Sequence, residues 1–428
     1  MINLRTIFNN LRILFYNPII VYLILIIGIG LVAIESAVPL TKINYPAITI
    51  NYASRQLLFI SLGAIVALFV VIIGSDRIRA LRWWIYGFWM IPLLGLFAYK
   101  HLHIPIPFVK ELNGAVSWFE LPGIGTIQPS EFMKIGLVLV VADIIQSHNE
   151  HYPHLSRNFK TDFQLLCKIM LAVLPPTILI FIQPDSGVTM IVLFFIALMI
   201  FASGIQWRYI LTVGGLVIAL ITLFIVLVGI FPDFLTDTLG VAPYKLNRFF
   251  GWFDPFGTMG SEGMQLAKGL LAIGSGNLVG NGFQSSTVYF PEAHTDFIFA
   301  VIGMDFGLIG TLITVILCGL FDYEILNTAT LNRGHYNSYV CIGIFGMLFF
   351  QQIQNIGMTI GLLPITGVTL PFISSGGSSS ISYMILFGLV LASYIEGIRI
   401  KHNEVDFHER TLYLKTKAYI KDNVKFDD

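Results

Sequence analysis

Four stretches of the sequence place polar residues where chemistry can be done. The first reads Ile127-Gln128-Pro129-Ser130-Glu131-Phe132-Met133-Lys134. Pro129 cannot continue a helix backwards and Ser130 is a good N-cap, so a helix is expected to begin here. Glu131 and Lys134 then share one helical face, close enough to pair. The pair reads either as a capping acid with an ion partner or as the wall of a polar cavity, since an ammonium in an apolar setting usually lines one. The second stretch, Gln183-Pro184-Asp185-Ser186-Gly187, is good turn chemistry and equally a place to aim a carboxylate. The third, Pro291-Glu292-Ala293-His294-Thr295-Asp296, gathers two acids and a histidine just before a long apolar run. Asp296 could be only the N-cap of that helix. A carboxylate there could also activate a hydroxyl, or hold a divalent cation against a pyrophosphate. The fourth runs from Gly357 to Ser380 without a charged residue, too rich in Gly and Pro for a plain helix and too apolar for a wet loop. Irregular backbone at membrane depth is tolerated only where protein buries it or it lines a cavity. Ser375, Gly376 and Gly377, at the opening of the next helix, would present free N–H groups to an anion.

The composition names the kind of scaffold these residues sit on. Of 428 residues 56% are hydrophobic and only 12% charged, about half the charge of a soluble domain. The 25 basic and 25 acidic side chains cancel, which excludes a strongly basic nucleic-acid binder and a disordered acidic tail. An all-α integral membrane protein remains. A helix crosses about 30 Å of hydrocarbon with about 20 apolar residues, and that rule gives ten spans. They cover 18–34, 57–74, 81–99, 132–147, 165–182, 186–204, 209–230, 297–321, 338–356 and 378–399. With the amino terminus inside, seventeen of the 25 lysines and arginines fall on the cytoplasmic side, so both termini are expected there. The chain then divides into a cytoplasmic segment 1–17, a membrane domain 18–399 and a solvated, partly helical cytoplasmic tail 400–428. Two external loops are long, 100–131 and 231–296, the second lying before the eighth helix and carrying no evident domain of its own.

Other features exclude chemistry. No phosphate-binding Gly-x-x-x-x-Gly-Lys-Ser/Thr loop is present, so no nucleotide is expected. His148, His151 and His154 are spaced like metal ligands, but Pro153 interrupts the helix that would align them, and a solvated loop is the reading preferred. Cys167, Cys318 and Cys341 lie in apolar runs and read as fillers.

Taken together, Gln-Pro-Ser-Glu, Gln-Pro-Asp-Ser-Gly, Pro-Glu-Ala-His-Thr-Asp-Phe-Ile-Phe-Ala and Gly-Leu-Leu-Pro-Ile-Thr-Gly with Pro-Phe-Ile-Ser-Ser-Gly-Gly-Ser-Ser resemble the SEDS family of RodA, FtsW and SpoVE. The motifs come in the family's order across about 18–400, with further matches at 247–255 and 273–276. Gly-Ala-Val-Ser-Trp-Phe and Phe-Asp-Pro-Phe look more like RodA than FtsW. Ser186-Gly187-Val188 replaces a frequent Leu-Gly-Thr, and Ser375 a frequent Tyr.

The resemblance implies a peptidoglycan glycosyltransferase in the bacterial cytoplasmic membrane, joining lipid II disaccharides on the outer face for elongation and rod shape. The division or sporulation paralogue and a lipid II flippase are the alternatives. It further implies Asp296 as general base or as the ligand of a divalent cation, Mg2+ or Mn2+. Lys134, Arg55 and Arg248 would balance the departing pyrophosphate, Glu131 would orient Lys134, and Asp185, His294, Ser375, Gly376 and Gly377 would shape the substrate site. Membrane lipids, a class B penicillin-binding protein and other elongation-complex membrane proteins are the implied partners.

Overall fold

The computed structural model describes residues 14, 17–44, 51–109, 111, 116–121, 125–153, 158–230, 249–261 and 263–423. A helix lies over each of the ten apolar runs: α1 Ile19–Ser36, α3 Tyr52–Ile73, α4 Ser75–His101, α5 Pro129–His151, α6 Phe159–Ile182, α7 Ser186–Ala202, α8 Trp207–Ile230, α10 Ile298–Leu331, α11 Tyr336–Thr359 and α12 Ser378–Asn423. Two shorter helices are α2 Val38–Asn44 and α9 Met264–Ser275, and residues 249–253 are helical as well. Seven helical segments are long and apolar enough to cross a membrane, and α7 is apolar but shorter. The chain is thus a mostly helical, multi-pass membrane protein.

Sequence chemistry explains the boundaries. Asn51 caps α3 by accepting from the Ser54 N–H at 2.9 Å, and Asn158 with Thr161 forms a capping box at the start of α6. Helix α5 is buried around its whole circumference, including Glu131, Lys134 and Asp143, and so forms the centre of the bundle. At its far end Asp143 takes Arg79 Nε at 2.7 Å and Arg82 Nε at 2.6 Å, fastening α4 to α5. The opposite situation holds on α3, where Leu57, Leu58, Leu62, Ile65 and Phe69 are exposed. Apolar side chains in such a stripe face lipid.

Three features add to the sequence reading and one, at His148 and His151, departs from it. The long first loop is not entirely irregular: Phe119–Leu121 (β1) and Gly125–Ile127 (β2) form an antiparallel hairpin, with Phe119 opposite Ile127. The second long loop contains α9, whose buried Leu266, Ala267, Gly269 and Ala272 make one apolar face against α10. His148 and His151 continue α5 rather than forming a solvated loop, because Pro153 stops the helix only after them, and His148 is buried. Residues 400–423 extend α12 without a break.

Between α11 and α12 the chain from 360 to 377 is irregular, with Gly361 and Gly367 at φ 80° and 72°. Protein groups satisfy its backbone. Gln354 Nε2 donates to Pro364 O at 2.9 Å, Asn355 Nδ2 to Val368 O at 2.8 Å, and the Ser375 N–H to His294 O at 2.9 Å. Trp252 Nε1 reaches Gly361 O at 3.0 Å from the large loop.

Candidate active site

All four polar stretches meet at one cavity of about 800 Å³ at one end of the bundle. Glu131, Asp185, Glu292 and Asp296 line it, with Gln128, Gln351, the 365–369 segment and the run 375–379. Each acid arrives by a different route. Pro129 sits at the first helical position of α5, so the N-cap is Gln128 rather than the expected Ser130. That shift frees Ser130 Oγ to approach Asp185 Oδ2 at 3.4 Å, while Gln128 Nε2 donates to the same oxygen at 2.6 Å. Asp185 caps α7 through Val188 N–H at 3.1 Å. It is therefore turn, cap and cavity wall at once. Burial, with the charge of Glu131 adding to it, outweighs these bonds and raises its pKa above the usual carboxylate range.

Asp296 is the exception among the acids. The N-cap of α10 is Phe297, without a side-chain cap bond, so Asp296 does not cap the helix. What holds it is its backbone: Asn355 Nδ2 donates to Asp296 O at 2.7 Å and at the same time to Val368 O. Gly367 stands beside the carboxylate, where an added Cβ would lie 3.4 Å from Oδ2. Burial, and then the charge of Glu292, pushes the Asp296 pKa up to about 7. A carboxylate that exchanges its proton near neutrality is suited to general-base work.

The other predicted residues divide. Lys134 lies behind the cavity wall, fully buried, its Nζ 2.9 Å from Glu131 Oε1 and over the Tyr383 ring. Glu131 Oε2 is buried without a partner. His294 turns away from the cavity towards the opposite side of the segment, packing on Tyr52 and lying 3.4 Å from Thr41 Oγ1. Burial lowers its pKa, against the pull of Glu292. Arg55 is exposed at the start of α3, over the Phe59 ring and against Gly125 of the hairpin. Ser375, Gly376 and Gly377 do line the cavity, but their amides are not all free: Ser375 N–H bonds His294 O and Gly376 N–H bonds Gln56 Oε1 at 3.0 Å. Arg248 lies outside the described residues.

Several residues of the site were not singled out from the sequence. Gln351, Asn355 and Thr359 recur every four residues on α11, polar in an apolar run, which is the signal that could have found them. Gln351 lines the cavity and accepts from Tyr383 Oη at 2.6 Å, and Ser378 Oγ joins Gln128 N to Thr126 O.

Comparison with known proteins shows the family. Residues 17–396 match the family described as cell cycle protein, FtsW, RodA and SpoVE. The probable peptidoglycan glycosyltransferase FtsW of Lactococcus lactis is 33% identical over 406 residues, 90% of this chain and 94% of that one. Stage V sporulation protein E of Bacillus subtilis is 28% identical, over 87% of this chain and 95% of its own. A chain from a solved peptidoglycan synthase complex, described as coordinating polymerization and crosslinking, superposes with a TM-score of 0.69 at 27% identity, covering 89% of this chain and 97% of that one. Thermus thermophilus RodA superposes with a TM-score of 0.59 at 26% identity, covering 88% and 95%. Fold, cavity and relatives together define a multi-pass membrane glycosyltransferase. The chain belongs to the SEDS family of FtsW, RodA and SpoVE.

Proposed function

We propose that this chain polymerises peptidoglycan, joining lipid II disaccharides into glycan strands on the outer face of the cytoplasmic membrane. The observation that carries the reading is Asp296: an acid in a shared polar cavity, with no side-chain hydrogen bond among the described residues and a pKa near 7. Asp296 takes the proton from the acceptor sugar's 4-hydroxyl as that oxygen attacks the donor's anomeric carbon. The bond from that carbon to pyrophosphate breaks, and undecaprenyl pyrophosphate leaves with the electron pair. The leaving group supplies the energy, so no nucleotide is needed.

Charge is the harder problem, because four acids line the cavity. The opening turn of α12 at Ser378 and Ser379 offers N–H groups with no intrahelical acceptor, a favourable end for an anion. Arg55 and Arg248 are the cations assigned to pyrophosphate, and Lys134 acts through Glu131. A divalent cation, Mg2+ or Mn2+, is the other candidate counter-charge, although among the described residues no three His, Cys, Asp or Glu side chains group so as to hold one.

Two assignments within the family compete. The Gly-Ala-Val-Ser-Trp-Phe and Phe-Asp-Pro-Phe stretches favour an elongation role like that of RodA. The FtsW names of relatives such as the Lactococcus protein favour division. Complementation of strains depleted of each paralogue separates them. A crosslinking partner, a class B penicillin-binding protein, is proposed in either case, supported by the synthase complex among the structural neighbours.

Purified Asp296→Asn with labelled lipid II and that partner tests the chemistry. Loss of glycan chains is expected, and wild-type chain formation removes Asp296 from the base role. In sealed vesicles, translocation of fluorescent lipid II without polymer would favour the flippase reading instead.

A further inference from the structure

The loop 276–283, between α9 and α10, reads Gly-Asn-Leu-Val-Gly-Asn-Gly-Phe and carries no charge. Its apolar members are turned outward: Leu278 is 64% exposed, Val279 73% and Phe283 53%. In water this would be an unstable tip. Its position along α10 gives it a different setting.

Helix α10 is broken at Gly307, at φ 65° and ψ −160°. A break of this kind strands the carbonyls before it and the N–H groups after it. The loop supplies partners on both sides of the break. Asn281 N–H donates to Met304 O at 3.0 Å and Gly282 N–H to Asp305 O at 3.1 Å, while Leu308 N–H donates to Asn277 O at 3.0 Å and Ile309 N–H to Leu278 O at 3.1 Å. Backbones can approach this closely only without side chains. A Cβ on Gly280 would meet Asp305 O at 2.1 Å, and one on Gly307 would meet Gly280 N at 2.5 Å. Side chains close the seam: Asp305, buried, accepts from Ser36 Oγ and from Ser285 Oγ, and Gln284 N–H donates to Ser36 Oγ at 2.9 Å.

The seam spans residues 304–309, about 9–16 Å along the axis from Ile298 at about 1.5 Å per residue. The hydrocarbon core is about 30 Å thick, so this level runs from its outer half to about the midplane. Leu278 and Val279 stand level with Leu308 and Ile309, themselves half exposed at the head of a stripe that continues through Leu312, Ile313 and Ile316. Irregular backbone can enter hydrocarbon only when its polar groups are satisfied internally, and the exchange with the broken helix pairs Asn277 O, Leu278 O, Asn281 N–H and Gly282 N–H. We propose that 276–283 is a re-entrant loop, threaded into the break of α10, whose Leu278, Val279 and Phe283 contact the acyl chains of the outer leaflet. Its lack of charge and its continuity with the lipid-facing stripe favour lipid over a protein partner.

The test uses the full chain in phospholipid vesicles, with Cys167→Ser to remove the exposed thiol while Cys318 and Cys341 stay buried. A nitrobenzoxadiazole label is placed at Val279→Cys, and in a second variant at Leu278→Cys, with Ser261→Cys as the water-exposed reference. Nitroxide-bearing phospholipids are expected to quench the two loop labels several-fold more than iodide does, with the reverse order at Ser261→Cys. Quenching of both loop labels by iodide would overturn the proposal, as would shielding from both quenchers, which would mean that a second copy covers the tip.

Discussion

Asn355 holds Asp296 by its backbone: the Asn355 amide donates at 2.7 Å to Asp296 O, and its second hydrogen reaches Val368 O at 2.8 Å. One side chain thus ties Asp296, just before the Phe297 cap of α10, to the irregular segment after α11. Replacing it with leucine leaves two carbonyls without a donor, each costing about 1–3 kcal/mol where buried. Asn355→Leu is expected to lower kcat more than it raises KM and to displace the pH profile of polymerisation. A fall in stability with an unchanged pH profile would limit Asn355 to a structural role.

Asp296 predicts the pH dependence. With its pKa at about 7, polymerisation should rise as pH increases through neutrality and the base form accumulates. Stability should move the other way. Between 3.8 and about 7 the folded protein keeps a proton that the unfolded chain has released, so the contribution of this group is lost as pH rises. Asp296→Asn is therefore expected to be inactive yet more heat-stable than the wild type above neutral pH, as thermal unfolding in detergent would show.

The buried pair of Glu131 and Lys134, 2.9 Å apart, predicts a non-additive result. Removing one partner of a buried pair costs about 3–5 kcal/mol, because the other is left charged and dry. Lys134→Met alone should sharply reduce Tm, and Glu131→Gln combined with Lys134→Met should recover part of it. Equal losses in single and double variants would mean that the pair is not coupled.

Gly367 faces two constraints, its φ of 72° and its closeness to Asp296 Oδ2. Gly367→Ala strains the backbone and crowds the carboxylate. Expression close to normal with a strongly reduced polymerisation rate is the expected outcome, read from glycan chains per unit of purified protein.

The contrast between these residues shows what a sequence exposes. Ten apolar runs were legible and a helix lies over each, seven helical segments being long and apolar enough to cross a bilayer. The cavity motifs were legible because Pro, Gly and Ser interrupt apolar runs only under constraint. Orientation was not. His294 and Asp296 are two residues apart, yet one packs on Tyr52 and the other enters the cavity. Lys134 and Glu131 share a helix face, yet only the acid reaches the opening. The role of Asn355 depends on two carbonyls 59 and 13 positions away in the chain, and no local pattern encodes that.

Helix α12 begins at Ser378, which is bonded to Gln128 and Thr126 at the cavity rim, and runs unbroken for 46 residues. At about 1.5 Å per residue it measures roughly 69 Å, well beyond the thickness of a bilayer. One continuous helix therefore joins the cavity rim to a segment beyond the membrane-spanning stretch Ser378–His402.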